Sequence, residues 1–535
     1  MNWSLVRAAT ATAALMLVAG CAQPSEPAAP STSAAPQPAT TEQLPPPLVP
    51  AMPLPDNAVD NAVGQLDRII DELMTSSGVP GLAVAVVRGG ETLYAKGFGV
   101  KDNRAGDTPE NAVDPDTVFQ LASLSKPVGA TVVAHQVSQK VIGWDSRIVD
   151  ALPWFSLNDP AATGQLTVGD LYSHRSGLPD HAGDKLEDLG FDRRQVLERL
   201  RELPLDPFRI SYAYTNFGLT TAAEAVAVSA GKSWEDLCEE VLYRPLGMTS
   251  TSSRFADYQA RPDKALAHLA IDGGYQPLHE RNADAQSPAG GVSSSLNDMT
   301  RWLTMMLGNG SADGTQIATP EALLPALTPQ IVSSPPSEPA ARTGFYGYGF
   351  NLGTTSAART QLSHSGAFET GAASNVVILP SADVGIVALS NATPTGLVET
   401  ITAEFADLVQ FGEVREDWRS LYGQAFAKMA APVGELVGQT PPASPAPAPP
   451  LPELAGTYTN PYWGPATVTE SGGTLGLALG PKGEVWPLKH WDGDVFTFEF
   501  FSENFPPGSV SKATFTGDRL ILEYFDDEGM GTFLR

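Results

Sequence analysis

The sequence predicts an α+β fold, an antiparallel sheet flanked by helices with a helical subdomain, followed by a small all-β barrel-like domain. Three observations predict it. Strand-like runs stand at both ends of a central region, about residues 60 to 435, and helical patterns fill the space between them. A proline-rich break, Pro441 to Pro452, sets that region apart from the chain's end. Short alternating runs, Val495 to Phe501 and Leu520 to Phe525 among them, occupy that end.

The elements follow in chain order. Leu82 to Val87, a Gly89-Gly90 turn and Glu91 to Gly97 predict a hairpin. Helical patterns lie near 124–139, 191–202, 216–230, 295–307 and 395–410. Phe345 to Leu352, Gln361 to Leu379 and Val384 to Leu389 return to strand composition. Cys238 sits in a helical pattern and reads as a small buried hydrophobe. With only two cysteines, Cys21 and Cys238, no disulfide framework supports the fold.

Composition excludes some functions. There are 33 basic against 60 acidic residues, a formal charge of −27, so nucleic acid is not an expected partner. At 42% hydrophobic residues the chain has material for real cores. The start differs: Arg7 precedes an apolar run from Ala8 to Ala19 that is too short to span a bilayer, and Val18-Ala19-Gly20 leads into Cys21. Those small residues resemble the lipobox of bacterial lipoproteins, which implies lipidation at Cys21 and an exported, periplasmic protein held at the membrane, the outer one in a Gram-negative-type cell, by that anchor alone. Residues 1–20 are then a signal peptide and 21–56 an Ala/Pro/Ser tether. Residues 57–435 form the large domain, 436–452 the linker and 453–535 the β domain.

The chemistry has few candidate carriers. No Gly-x-Ser-x-Gly elbow and no His-Glu-x-x-His occurs, and the seven histidines are scattered, so no metal site is expected. Ser-x-x-Lys occurs at Ser123/Lys126, Ser229/Lys232 and Ser509/Lys512. Gly231, just before Lys232, looks like a helix stop inside the second pair, and Pro506-Pro507-Gly508 flanks the third. Only Ser123 opens an apolar helical run, where residues three apart share a face and free N–H groups favour an oxyanion. Tyr-x-Asn occurs at Tyr214-Thr-Asn216 and at Tyr458-Thr-Asn460, and His-x-Gly at His364-Ser-Gly366 and at His181-Ala-Gly183. Singly these are background.

Ordered along one domain as Ser123-x-x-Lys126, Tyr214-x-Asn216 and His364-x-Gly366, they resemble the serine hydrolases of the class C β-lactamase and penicillin-binding-protein superfamily, including its D-aminopeptidase and esterase branch. Asp116 to Phe119, Leu171 to Pro179, Pro245 to Met248 and Pro288 to Gly291 also look like stretches of that family. The tail, with Gly456 to Tyr462, is similar to the lipocalin-like domain appended to some members.

The resemblance implies roles. Ser123 is the expected nucleophile, with Lys126 or Tyr214 as base and Asn216 holding Lys126 or the substrate amide. A neutral Lys126 requires its pKa to fall from about 10.4 to about 7. The expected oxyanion and substrate group is Ser123, Ser365, Gly366 and Ala367, with N–H donors from Ser123 and Ala367. His364 stands where relatives acting on β-lactams or terminal D-alanine carry a lysine. An imidazole is mostly neutral at pH 7, which weakens a carboxylate anchor and favours peptidase and esterase readings on small peptides or esters. A β-lactamase or carboxypeptidase and a non-catalytic binding lipoprotein are the alternatives. No cofactor is implied, since Lys126 and Tyr214 can move the protons.

Overall fold

The computed structural model describes residues 45–535. The expected signal peptide, Cys21 and most of the tether lie outside the described residues. Pro50–Arg535 forms one compact unit; the other, Met1–Val49, is described from residue 45 and holds the turn Pro46–Leu48.

The main sheet has eight antiparallel strands: β1 (Gly81–Arg88), β2 (Glu91–Gly99), β3 (Ile331–Ser334), β4 (Gly344–Tyr346), β5 (Asn351–Thr354), β6 (Thr360–Phe368), β7 (Ala372–Leu379) and β8 (Val384–Ser390), in the spatial order β2-β1-β8-β7-β6-β5-β4-β3. The central strands are buried on both faces, so their sequences are continuous apolar runs. Leu82, Val84 and Val86 of β1 enter one core and Ala83, Ala85 and Val87 the other. The expected strand Phe345 to Leu352 is broken instead into β4 and β5, because the chain reverses in a tight turn where Gly347 N–H donates to Phe350 O at 2.8 Å and Gly349 takes φ 82°.

On one face lie α1 (Leu66–Ser77) and, from the end of the domain, a helix over Leu397–Phe411. Leu66, Ile69, Ile70 and Leu73 are buried at i, i+3, i+4 and i+7, the amphipathic spacing of a helix packed on a sheet. On the other side of the sheet α2 (Ser125–Ser138) and α3 (Asn216–Ala230) pack on each other within one core, and α4 (Leu296–Leu307) packs directly on β1 and β8. The Leu397–Phe411 helix is therefore α5. Helices α2 and α3 are buried nearly all round, as fits small and apolar residues running through a core. Gly231, at φ 69°, ends α3 as the glycine stop expected from sequence. The helical pattern at 191–202 becomes Arg193–Arg199, started by an Asp192/Gln195 capping box, plus a 3-10 turn.

The tail is a closed barrel of eight consecutive strands: β9 (Gly456–Asn460), β10 (Gly464–Ser471), β11 (Thr474–Leu479), β12 (Val485–Asp492), β13 (Val495–Phe498), β14 (Ser511–Thr516), β15 (Arg519–Leu522) and β16 (Thr532–Leu534). Thr459 pairs with Leu534 to close it, which removes the exposed edges an open sheet would have. Leu475, Leu477 and Leu479 point inward at period two.

Candidate active site

Ser123 lies in a 3-10 turn, Ala122–Leu124, that runs directly into α2, one step earlier than the helix start expected for it. Ala122 holds φ at 47°, a left-handed conformation that costs a non-glycine residue of order 1 kcal/mol or more and is retained where the surroundings over-determine it. Those surroundings are visible. Leu121 N–H donates to Val292 O at 2.8 Å, Ser374 Oγ donates to Leu121 O at 2.6 Å, and Ser125 Oγ donates to Ala122 O at 2.6 Å while accepting from Val292 N–H at 3.0 Å. From Leu121 to Ala134 only Ser123 is not buried. The turn thus lifts one hydroxyl out of the core.

Lys126, the second residue of α2 and fully buried, places Nζ 3.0 Å from Ser123 Oγ. The same nitrogen lies 2.6 Å from Asn216 Oδ1 and 2.9 Å from Ala289 O. Both of those oxygens accept only. A neutral amine has two N–H bonds and a lone pair, so donating to Asn216 and Ala289 turns the lone pair toward the Ser123 hydroxyl. Burial lowers the Lys126 pKa to about 7, against an opposing pull from the Asp184 charge. A serine beside a buried, half-neutral amine is an activated nucleophile.

Tyr214 stands two residues before the start of α3, and its ring centroid is 4.6 Å from Lys126 Nζ. Burial pushes its phenol well up, outweighing the Ser123 hydroxyl that draws it down, so it rests protonated and can donate. Of the two candidate bases, Lys126 is the one tuned to accept a proton near neutral pH.

Strand β6 forms the other wall. A Cβ at Gly366 would collide with Leu121 O and Ser374 Oγ, so glycine is what lets the nucleophile's turn rest on the strand. Thr355 N–H donates to Arg359 O, which aims the N–H groups of the odd-numbered β6 residues toward β5. Pairing with β5 stops at Asn351 opposite Ser363, leaving the N–H groups of Ser365 and Ala367 on a free edge. Ala367 therefore presents its donor at the cleft, as an oxyanion hole requires.

One expectation on this strand needs correction. The Ser365 side chain faces away from the cleft, because alternation puts Leu362, His364, Gly366 and Phe368 on the catalytic face and Ser363, Ser365 and Ala367 on the other; Asn375 Nδ2 donates to Ser365 Oγ at 2.7 Å there. His364 is at the site, 6.4 Å from Tyr214 between ring centroids, but both its nitrogens are engaged. Nδ1–H donates to Ser365 O at 2.6 Å and Nε2 accepts from Tyr346 OH at 2.8 Å. Burial and then the Lys126 charge lower its pKa to about 3, so it is a neutral ring that fixes Tyr346 and not a partner for a substrate anion.

The Beta-lactamase family model matches residues 66–410. The chain belongs to the Beta-lactamase family. A second model, a domain of unknown function, DUF3471, matches residues 440–520 and so most of the barrel. An unguisins hydrolase of Aspergillus campestris is 27% identical over 421 residues, 75% of each chain. Penicillin-binding protein 4 of Amycolatopsis lactamdurans is 31% identical over 256 residues, 46% of this chain and 65% of that one. The octameric penicillin-binding protein homologue from Pyrococcus abyssi, 19% identical, superposes at a TM-score of 0.58 over 86% of this chain and 98% of that chain, a likeness of fold. Members of the Beta-lactamase family are serine hydrolases.

In this Beta-lactamase-family chain several site residues escaped sequence reasoning. Asn216 Nδ2 donates to Asp184 Oδ2 at 2.7 Å, and His181 Nδ1 meets the same oxygen at 2.8 Å. His181-Ala-Gly183 had looked like a background match; its position opposite Tyr214, 5.6 Å between ring centroids, is set by the loop and not by any motif. For the half-exposed His181, burial pulls the pKa down, but the hydrogen bond and charge of Asp184 prevail and raise it. His174 Nδ1 accepts from Thr215 N–H at 3.1 Å, which holds the Tyr214 segment in place. It lies in the Leu171 to Pro179 stretch, the one sequence signal that could have found it. Among the described residues no cluster of three or more His, Cys, Asp or Glu side chains is arranged to hold a metal.

The barrel also reaches the cleft. Glu503, in the segment joining β13 to β14, accepts from Glu369 N–H at 2.6 Å, Thr370 N–H at 3.3 Å and Thr370 Oγ1 at 3.0 Å. Those donors form the turn directly after β6, so the barrel clamps the end of the strand that carries Ala367. Phe501 stacks on His279 at 4.2 Å beside it.

Proposed function

We propose that the chain is a serine hydrolase, most specifically a peptidase, that cleaves peptide, amide or ester bonds of small substrates through an acyl-enzyme on Ser123. One observation carries the reading: Lys126 Nζ is fully buried 3.0 Å from Ser123 Oγ, with its other two directions taken by Asn216 Oδ1 and Ala289 O. Ser123 Oγ gives its proton to Lys126 and attacks the carbonyl; the N–H groups of Ser123 and Ala367 receive the negative oxygen. Tyr214 or the protonated Lys126 supplies the proton that the leaving group needs, and water then cleaves the ester on Ser123. The relative matched over three quarters of both chains is named a hydrolase, which supports hydrolysis. The amino-terminal reading, a lipid on Cys21, would put this activity in the periplasm.

A fluorophosphonate probe tests the reading. The expected result is one adduct per chain on the peptide containing Ser123 and none in Ser123→Ala; full labelling of that variant would overturn it. The likeness to a penicillin-binding protein favours a second reading, on β-lactams. A neutral, fully engaged His364 offers no cation for their carboxylate, so slow or absent nitrocefin turnover is expected, and rapid turnover would reverse the ranking.

A further inference from the structure

The segment from Pro179 to Lys185 and the barrel together line a partly open cavity of about 80 Å³. The barrel supplies an aromatic wall of Tyr462, Trp463 and Phe525, and acidic side chains come from both parts, Asp184 from the start of the short helix Asp184–Asp188 and Asp527 and Glu528 from the barrel. Asp184 is itself buried. Its Oδ2 already serves Asn216 and His181, while its Oδ1 has no hydrogen-bond partner. A buried carboxylate oxygen left without a donor keeps an uncompensated desolvation cost, which a ligand's donor would recover.

The charges around it do not cancel. Lys185 is spent on Asp527 at 2.5 Å, and His181 is shared between Asp184 at 2.8 Å and Asp180 at 3.8 Å. Glu528 makes no ion pair among the described residues, and burial, then the charges of Asp527, Asp206 and Asp180, raise its pKa. An anion entering here would meet repulsion, and an uncharged apolar group would leave Asp184 Oδ1 unsatisfied. A cation on an apolar stem meets both needs, its charge against the carboxylates and its stem against aromatic faces that also attract cations.

We propose that this cavity is a subsite for a primary ammonium or guanidinium carried on an apolar part of the substrate, with Asp184 Oδ1 and Glu528 as its anionic partners and the barrel as its outer wall. The proposal rests on the hydrolase reading above and names the substrate class for it. Asp184 connects to Ser123 through Asn216 and Lys126, three hydrogen bonds of 2.7, 2.6 and 3.0 Å. A cation on Asp184 offsets the charge that holds the proton on Lys126, so filling the subsite also favours the neutral base.

A matched pair of p-nitrophenyl esters tests it on the full chain, one with a 6-aminohexanoyl and one with a heptanoyl group. At pH 7 the ammonium ester is expected to show a KM at least tenfold lower, and Glu528→Gln to shrink that ratio to threefold or less. Equal KM values, or a ratio that survives the substitution, would overturn the subsite. Calorimetric titration of Ser123→Ala with hexylammonium and with hexanol reads binding without turnover. Selective binding of the amine, weakened by Glu528→Gln, supports the subsite and no binding refutes it. Should neither ester be hydrolysed, the hydrolase reading fails while this titration still decides the subsite.

Discussion

Asn216 Oδ1 lies 2.6 Å from Lys126 Nζ, and the other end of the same amide is pinned to Asp184 at 2.7 Å. An amide can hold a neutral amine in this way without charging it. A carboxylate could not.

Asn216→Asp is therefore expected to raise the Lys126 pKa by about 1 to 3 units, because an opposite charge in contact favours the ammonium. The acid limb of the pH–rate profile for kcat/KM moves alkaline by the same amount. At pH 7 activity falls about 5- to 500-fold, and raising the pH restores part of it.

In the unaltered chain, kcat/KM is expected to rise about tenfold per pH unit below pH 7 and to level off above it. The active form needs Lys126 without its extra proton, and burial has brought that pKa to about 7. A limb placed near 10 would show that Lys126 is an ordinary ammonium in the cleft.

Lys126→Met should abolish turnover and stabilise the fold, most at low pH. The unfolded lysine keeps its proton up to about 10.4, whereas the folded one loses it near 7, so between these values the unfolded state holds more protons and the parent chain gains stability as pH rises. The variant lacks that dependence. Its advantage over the parent, measured by urea unfolding, should be larger at pH 6 than at pH 10 by up to about 4 kcal/mol.

Glu503→Ala removes the acceptor that holds the turn after β6. The expected result is a drop of about tenfold in kcat, equivalent to about 1.4 kcal/mol of transition-state stabilisation, with KM changed less. Steady-state kinetics on a small ester separates the two, and an unchanged kcat would show that the barrel does not position the Ala367 edge.

Some of the site was legible because its geometry is local. Ser123 and Lys126 meet through the i, i+3 spacing of one helix turn, and the long apolar runs of β1 and β8 announce strands buried on two faces. Tyr214, Asn216 and His364 could be chosen over their duplicates only by their order along one domain. Asp184, Tyr346 and Glu503 carry no such sign: a carboxylate that joins the site from a short helix, or from a barrel more than 300 residues further along, looks in sequence like any solvated acid.

By itself the sequence determined which hydroxyl and which amine would face each other, the α+β class of the large domain and the β-rich end. Tertiary structure alone decided what those groups can do. Packing against Ala289, Asn216 and the buried core sets the protonation of Lys126, the pairing of β5 and β6 frees the Ala367 edge, and strand alternation turns Ser365 away while locking His364 to Tyr346. The physical reason is range: backbone propensity and periodicity act over a few residues, whereas desolvation and hydrogen-bond satisfaction depend on every atom brought near by folding, whatever its distance along the chain.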